Sequence, residues 1–399
     1  MVNTKLKSVV LLCFSFAVVN HLKSQDKLTK AFIQEQFNFA DSQYHVLISN
    51  VDGSDEMPQT FNSATNKVVG YERTWWCTGF YPGSLWYIFE ETGDSDIRKE
   101  AERALDVIKP NEYYTGNHDL GFMMFCSFGN AYRLTKDTSY KNVLFQSAHS
   151  LSTRYRPGIP AIQSWNKNKN FNCPVIIDNM MNLELLEWVS KNGGNSRYAD
   201  IALNHANTTL KNHFRPDYSS YHVIDYDSST GKVLQKRTWQ GYSDSSAWAR
   251  GQGWALYGYT MMYRFTKKKE YLEQAKHVAS FILDNPNLPS DKIPYWDFND
   301  PKIPNVPRDA SAGALMSSAL LEVGQYTSGK ERKKYLDNAV QMIKSLSTAT
   351  YRSSYGANGG FLLMHSTGAL PLKSEIDVPL VYADYYFLEA LKRYKDWYL

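Results

Sequence analysis

One spacing recurs along this chain. After a polar turn comes an aromatic or aliphatic residue, and four positions later an Ala. Clear copies are Tyr198/Ala202, Tyr271/Ala275 and Tyr335/Ala339; Ile97/Ala101 fits, and Tyr140/Leu144 is a looser copy. Residues four apart in a helix share a face, so each copy marks the inward side of a first turn. Self-similarity of this kind is the mark of a helical-hairpin repeat. From residue 27 onward apolar positions recur at three- and four-residue spacing, and no run of strict alternation is long enough to define a sheet.

Turn signals divide the chain into about twelve helical stretches: 28–47, 82–93, 96–108, 120–135, 138–154, 178–192, 196–213, 248–266, 269–284, 311–326, 331–347 and 379–396. Every second one, beginning with 82–93, is rich in Gly, Ala, Met and aromatics and poor in charge. Their partners carry the Lys, Glu and Asp of solvent-facing helices. An all-α (α/α)6 barrel, six helical hairpins with six inner helices wrapped by six outer ones, accounts for this alternation better than a solenoid, whose concave helices need not be so apolar.

At 399 residues the chain suits a toroid better than a typical single core. The net charge of +4 is spread out; Lys267, Lys268 and Lys269 form a basic run that falls in a turn, so nucleic-acid binding gets no support. Lys5 and Lys7, an apolar run over 9–19 and a polar close near Ser24 have the order of a secretory signal peptide. The expected organisation is a signal peptide over 1–24 and one barrel over 25–399, periplasmic or secreted. The apolar run is too short to span a bilayer. Cleavage would leave Cys77, Cys126 and Cys173, an odd set that implies no disulfide framework.

In such a barrel the inner helices run the same way, so the loops before them gather at one mouth with the positive helix ends. Those loops hold His118, Asp119, Asp178, His222, Asp225, Gln240, Asp244, Arg250 and Asp309, with Trp75, Trp76, Trp165, Trp239, Trp248, Trp254 and Trp296 nearby. Asp119 and Asp178 each stand where a loop gives way to a helix. Either they are N-caps, or they are the carboxylate pair that carbohydrate chemistry requires, with Trp faces to stack on sugar. His222 is open in the same way, as a structural or a functional histidine. Gln240 and Asp244 either cross-link their loop or meet a ligand. Arg250, in an otherwise uncharged helix start, needs an anionic partner, either Asp244 or a ligand. No HExxH, paired CxxC, phosphate-cradling glycine loop or GxSxG elbow occurs.

At these residues the chain resembles glycoside hydrolase family 88, the unsaturated glucuronyl hydrolases. The blocks are HDLGF (118–122), DNMMNLELL (178–186), SSYHVIDYD (219–227), QGYSDSSAWARGQGWALYGY (240–259), RDASAGA (308–314) and DVPLVYADYYFLEAL (377–391). WARGQGW is shared with family 105; HDLGF with DNMMN favours family 88. The resemblance implies an (α/α)6 barrel, in agreement with the hairpin count.

It also implies a reaction. The substrate class is an oligosaccharide whose non-reducing end is a 4,5-unsaturated uronic acid, the product of a polysaccharide lyase. The C4=C5 enol ether is hydrated, with Asp178 as proton donor and then base, and Asp119 ionised beside the cationic transition state. His222, Gln240 and Arg250 would hold the uronate, and Trp76, Trp248 and Trp254 would shape the subsite. The resemblance requires no metal, nucleotide or other cofactor, names the anionic oligosaccharide as partner and leaves the oligomeric state open. The segment MHSTGALPLKSEID (364–377) has no clear match; Ser366, Thr367 and Lys373 are its candidates for meeting a sulfate. The rival readings are a family 105-like unsaturated rhamnogalacturonyl hydrolase and a non-catalytic oligosaccharide-binding protein on the same scaffold.

Overall fold

The computed structural model describes residues 27–51 and 53–399, so the expected signal peptide lies outside the described residues. The hairpin count holds. Six outer helices, α1 (Lys30–Val51), α3 (Ser95–Ile108), α5 (Thr138–Ser152), α7 (Arg197–Asn212), α9 (Lys269–Leu283) and α11 (Gly329–Leu346), surround an inner ring. The ring is α2 (Phe80–Thr92), the π-helix Gly121–Gly129 continuing into α4 (Asn130–Thr135), α6 (Asn179–Lys191), α8 (Ala249–Thr266), α10 (Ala310–Gln325) and α12 (Val381–Tyr398). Each inner element packs on the next, and α12 closes on α2.

Burial explains the alternation in composition. α10 is buried from Ala310 to Gly324 without a break, because it has neighbours on every side. α3 buries Ile97, Ala101, Ala104, Leu105 and Ile108, one stripe of a helix whose other face meets water. The recurrent pair supplies anchors near the starts of the outer helices: Ile97, Ala101, Tyr271, Ala275, Tyr335 and Ala339 are buried, Tyr198 and Tyr140 are half-buried, and the Tyr271 hydroxyl donates to Asn207 Oδ1 of α7 at 2.7 Å.

The mouth differs from the expectation of no sheet. Four small antiparallel sheets lie there among the described residues: β1 (Met57–Asn62) with β2 (Lys67–Tyr71), β3 (Tyr155–Arg156) with β4 (Ala161–Ile162), β5 (Cys173–Ile176) with β6 (Val223–Tyr226) and β7 (Val233–Arg237), and β8 (Ser366–Ala369) with β9 (Ser374–Val378). β5 and β6 are buried at every residue, so they carry no alternation to detect. Their pairing joins segments about fifty residues apart, Cys173 opposite Tyr226 and Ile176 opposite Val223, and fixes the strand ends that lead into α6 and carry His222.

Candidate active site

Asp178 follows β5 and takes the N-cap position of α6, yet its carboxylate does not cap the helix. Its backbone is already helical (φ −58°, ψ −29°), its side chain accepts no capping hydrogen bond, and its Oδ2 has no hydrogen-bond partner. Asp119 is likewise not the cap of the π-helix, whose N-cap is Leu120 without a side-chain bond. At the same mouth Asp309 does cap α10, accepting from the Ser311 and Ala312 amides. Two of the three aspartates therefore have carboxylates free for another use.

The π-helix holds Asp119 in place from below. The Phe122 amide donates to Asn182 Oδ1 on α6 at 2.9 Å, which ties this inner element to its neighbour. The two come so close that a Cβ on Gly121 would lie 2.4 Å from Asn182 Cα. A π-helical turn at a functional site is a recurrent device, since it re-aims the residues beside it.

Each carboxylate has its own imidazole. His222 Nε2 lies 3.8 Å from Asp178 Oδ2, and His118 Nε2 lies 3.3 Å from Asp119 Oδ1. His222 Nδ1 accepts the backbone N–H groups of Trp239 and Gln240 at 3.0 and 3.2 Å. The proton of the neutral ring therefore sits on Nε2 and points toward Asp178. Burial pushes both histidines down to about 3, helped by Arg250 at His222 and by Arg154 at His118, so both rings are neutral.

The carboxyls move the other way. Burial raises Asp178 to about 7 against the opposing charge of Arg250. Burial and the charge of Asp178 raise Asp119 well above the usual carboxylate range, while Arg154 and Asn182 pull it down. A proton is thus retained by the pair near neutral pH, which is the condition for acid catalysis by one member.

Arg250 is 1% exposed. Its partner is Asp309 at 2.8 Å, not Asp244; it also donates to Thr367 O at 2.6 Å and Gly368 O at 2.7 Å, while its Nε has no partner. Asp244 cross-links its own loop, accepting from the Thr238 amide at 2.8 Å. Asp225 is a structural acceptor too, taking the Asn172 and Cys173 amides.

These groups converge on a cleft of about 470 Å³ lined by Trp75, Trp76, His118, Asp119, Asp178, Gln240 and Arg250. One wall is aromatic: Phe171 stands edge-on to Trp165 at 5.5 Å and to Trp239 at 5.6 Å. Opposite, Trp76 packs on Tyr382 at 5.0 Å. His222, Trp248 and Trp254 are not among the lining residues; His222 sits behind Asp178. Trp248 lies 4.7 Å from the His222 ring and beneath the Arg250 guanidinium, and Trp254 is fully buried against Phe122 and Tyr386, so both shape the site from behind.

Ser366 and Thr367 are buried in β8, the latter donating to Arg308 O, and Lys373 is exposed outside the cleft lining; the hairpin lines the cleft with Gly368, Ala369, Leu372, Ser374 and Glu375. Sequence reasoning passed over Glu375, Asn182, Tyr382 and Arg154, since nothing in their local spacing sets them apart.

A larger hollow of about 650 Å³ opens at the other end of the inner ring, but the cations there already have partners. Arg264 pairs with Glu184 and Glu322, Arg133 with Glu90, and Arg393 with Glu322 and Glu389. The one grouping of possible metal ligands among the described residues is Asp41, His45 and Asp94, between α1 and the start of α3, away from the cleft. Asp94 is occupied in capping α3 and in meeting His45 at 3.1 Å.

Comparison with known proteins agrees with this architecture. The profile of Glycosyl Hydrolase Family 88 matches residues 51–280. The chain is 45% identical over 371 residues, 92% of each chain, to an unsaturated glucuronyl hydrolase of Formosa agariphila. It is 32% identical to an unsaturated chondroitin disaccharide hydrolase of Streptococcus agalactiae, over 93% of this chain and 94% of that one. Among solved structures, an unsaturated glucuronyl hydrolase specific for heparin superposes with a TM-score of 0.88 at 45% identity, over 92% of this chain and 98% of that one. The chain belongs to glycosyl hydrolase family 88.

Proposed function

We propose that this protein removes a 4,5-unsaturated uronic acid from the non-reducing end of polysaccharide-lyase products, by hydrating the C4=C5 enol ether. The observation that carries this reading is the carboxyl pair itself: two buried aspartates that retain a proton near neutral pH, beside a buried arginine with an unpartnered Nε, in an aromatic cleft. Relatives named for heparin and chondroitin point to glycosaminoglycan fragments as the first substrates to try.

In this reading Arg250 and Gln240 receive the uronate carboxylate and hydroxyls, and His222 donates from Nε2. Asp178 delivers the proton retained by the pair to C4. Positive charge develops at C5 and the ring oxygen, where Asp119, charged once the pair has given up its proton, stabilises it. Water then adds at C5 and gives its proton to Asp178, which restores the acid. The hemiketal opens the ring and releases the remaining sugar. No metal or nucleotide enters any of these steps.

The test is optical. Unsaturated uronates absorb near the ultraviolet edge, and hydration removes the absorbance; decay is expected on glycosaminoglycan lyase digests. No decay on any lyase digest would overturn the enzymatic reading, and decay confined to rhamnose-linked fragments would overturn the glucuronyl one. The basic, apolar and polar order over 1–24 supports export to the periplasm or beyond, which fractionation of expressing cells would check.

A further inference from the structure

Glu375 brings a carboxylate into a cleft whose proposed substrate is itself an anion. The reaction above gives it no task. It lies on β9, and its backbone has φ +54°, a left-handed conformation that a residue with a side chain rarely adopts. Tertiary contacts hold it there. Gln59, fully buried on β1, donates from Nε2 to Glu375 Oε1 at 2.8 Å. The other end of that amide is committed too, because Gln59 Oε1 accepts the Cys77 thiol, so the donor direction is fixed. Among the described residues this neutral amide is what bonds the carboxylate; no Lys, Arg or His does, and Oε2 receives no protein donor. The cation across the cleft, Arg250, is already paired with Asp309 at 2.8 Å.

The place of Oε2 follows from Gly368. A Cβ on that glycine would lie 2.4 Å from Glu375 Oε2 and 2.8 Å from Glu375 Cβ, so the carboxylate rests over a bare Cα. The carbonyl of the same glycine accepts from Arg250 at 2.7 Å and from Gln240 Nε2 at 3.4 Å. Glu375 therefore stands one peptide unit from the two groups assigned to the uronate, and all four residues line the cleft. A carboxylate so placed reads what a sugar carries. It accepts the proton of a hydroxyl, but to a sulfate ester it offers only charge of the same sign. Repulsion of the wrong ligand is one of the two ways a site gains specificity.

We propose that Glu375 is a specificity-determining residue, whose carboxylate accepts a hydroxyl of the sugar seated against Gly368 and turns away fragments with an O-sulfo group at that position. The proposal rests on the function given above and names the substrate class more narrowly.

The experiment measures kcat/KM for loss of the unsaturated chromophore by the full chain, on unsaturated chondroitin and heparin disaccharides, unsulfated and singly O-sulfated at each position. At one position at least, the wild type should favour the unsulfated form by about tenfold or more, as expected of like charges meeting in a half-buried site. Glu375→Gln keeps the shape and removes the charge. It should lower kcat/KM on the unsulfated form by about threefold, since a neutral acceptor is weaker than a charged one, and raise it on the sulfated form. Opposite shifts of this kind do not arise from damage to the fold. Glu375→Gly suits the left-handed backbone and should narrow the same ratio, which keeps the test available if the Gln variant does not fold. A wild type indifferent to O-sulfo groups overturns the proposal, as does an active Glu375→Gln with unchanged ratios. Equal losses on every disaccharide also overturn it and leave Glu375 a part in the chemistry or the fold. Absence of wild-type turnover on all of them would overturn the proposed function, and this inference with it.

Discussion

Arg250 donates to Asp309 across 2.8 Å, with 1% and 0% of the two side chains exposed. Asp309 also caps α10, so one carboxylate both starts an inner helix and orients the guanidinium above it. Replacing Asp309 by Ala leaves a buried charge unpaired, which costs about 3–5 kcal/mol, and removes a cap worth about 1 kcal/mol. The expected outcome is a much lower Tm and, in whatever protein folds, a raised KM. A KM equal to that of the wild type would mean that Arg250 does not meet the uronate.

Asp178→Asn should lower kcat by about 10²–10⁴-fold, the usual range for a positioned acid–base group, with circular dichroism and substrate affinity retained. Asp119→Asn should also lose kcat, through lost stabilisation of the cation. Substantial turnover by Asp178→Asn would overturn its assignment.

The same substitution has a stability consequence. Asp178 is raised in the folded protein from 3.8 to about 7, so between those values the native state holds a proton that the unfolded chain has released. Stability from this group is therefore fully present below pH 3.8 and lost as pH rises through about 7. Asp178→Asn cannot acquire the buried charge. It should melt higher than the wild type at pH 8, and the difference should shrink as pH is lowered toward 5; a difference independent of pH would refute the buried-charge account.

His222 fixes the loop above it as well as the site below. His222→Ala would leave the Trp239 and Gln240 amides without their acceptor, at a cost of about 1–3 kcal/mol if water does not replace it. Both kcat/KM and protection of those two amides from hydrogen exchange should fall. Lost activity with full protection would confine His222 to the chemistry.

At Gly121 the space is set by backbone. An Ala Cβ would sit 2.4 Å from Asn182 Cα and 2.9 Å from Asn182 Cβ, so the π-helix or α6 must shift. Gly121→Ala should destabilise the protein by several kcal/mol and reduce kcat more than KM, because Asp119 moves with the helix start. A stable, fully active variant would show that the site tolerates this displacement.

The barrel was legible in the chain because burial follows local periodicity. Inner helices such as α10 have neighbours all round and read as apolar; outer ones such as α3 show one stripe. The sequence by itself also determined which residue types meet at the mouth, since the loops before the inner helices must gather there, and the family blocks singled out Asp119, Asp178, His222, Gln240 and Arg250. Only the tertiary structure decided what each does. Asp178 and Asp309 look alike as loop-to-helix aspartates, but one caps a helix and the other leaves Oδ2 free, a difference made by backbone angles and neighbours. That Arg250 bonds Asp309 and that Glu375 reaches the cleft depend on contacts between segments tens of residues apart.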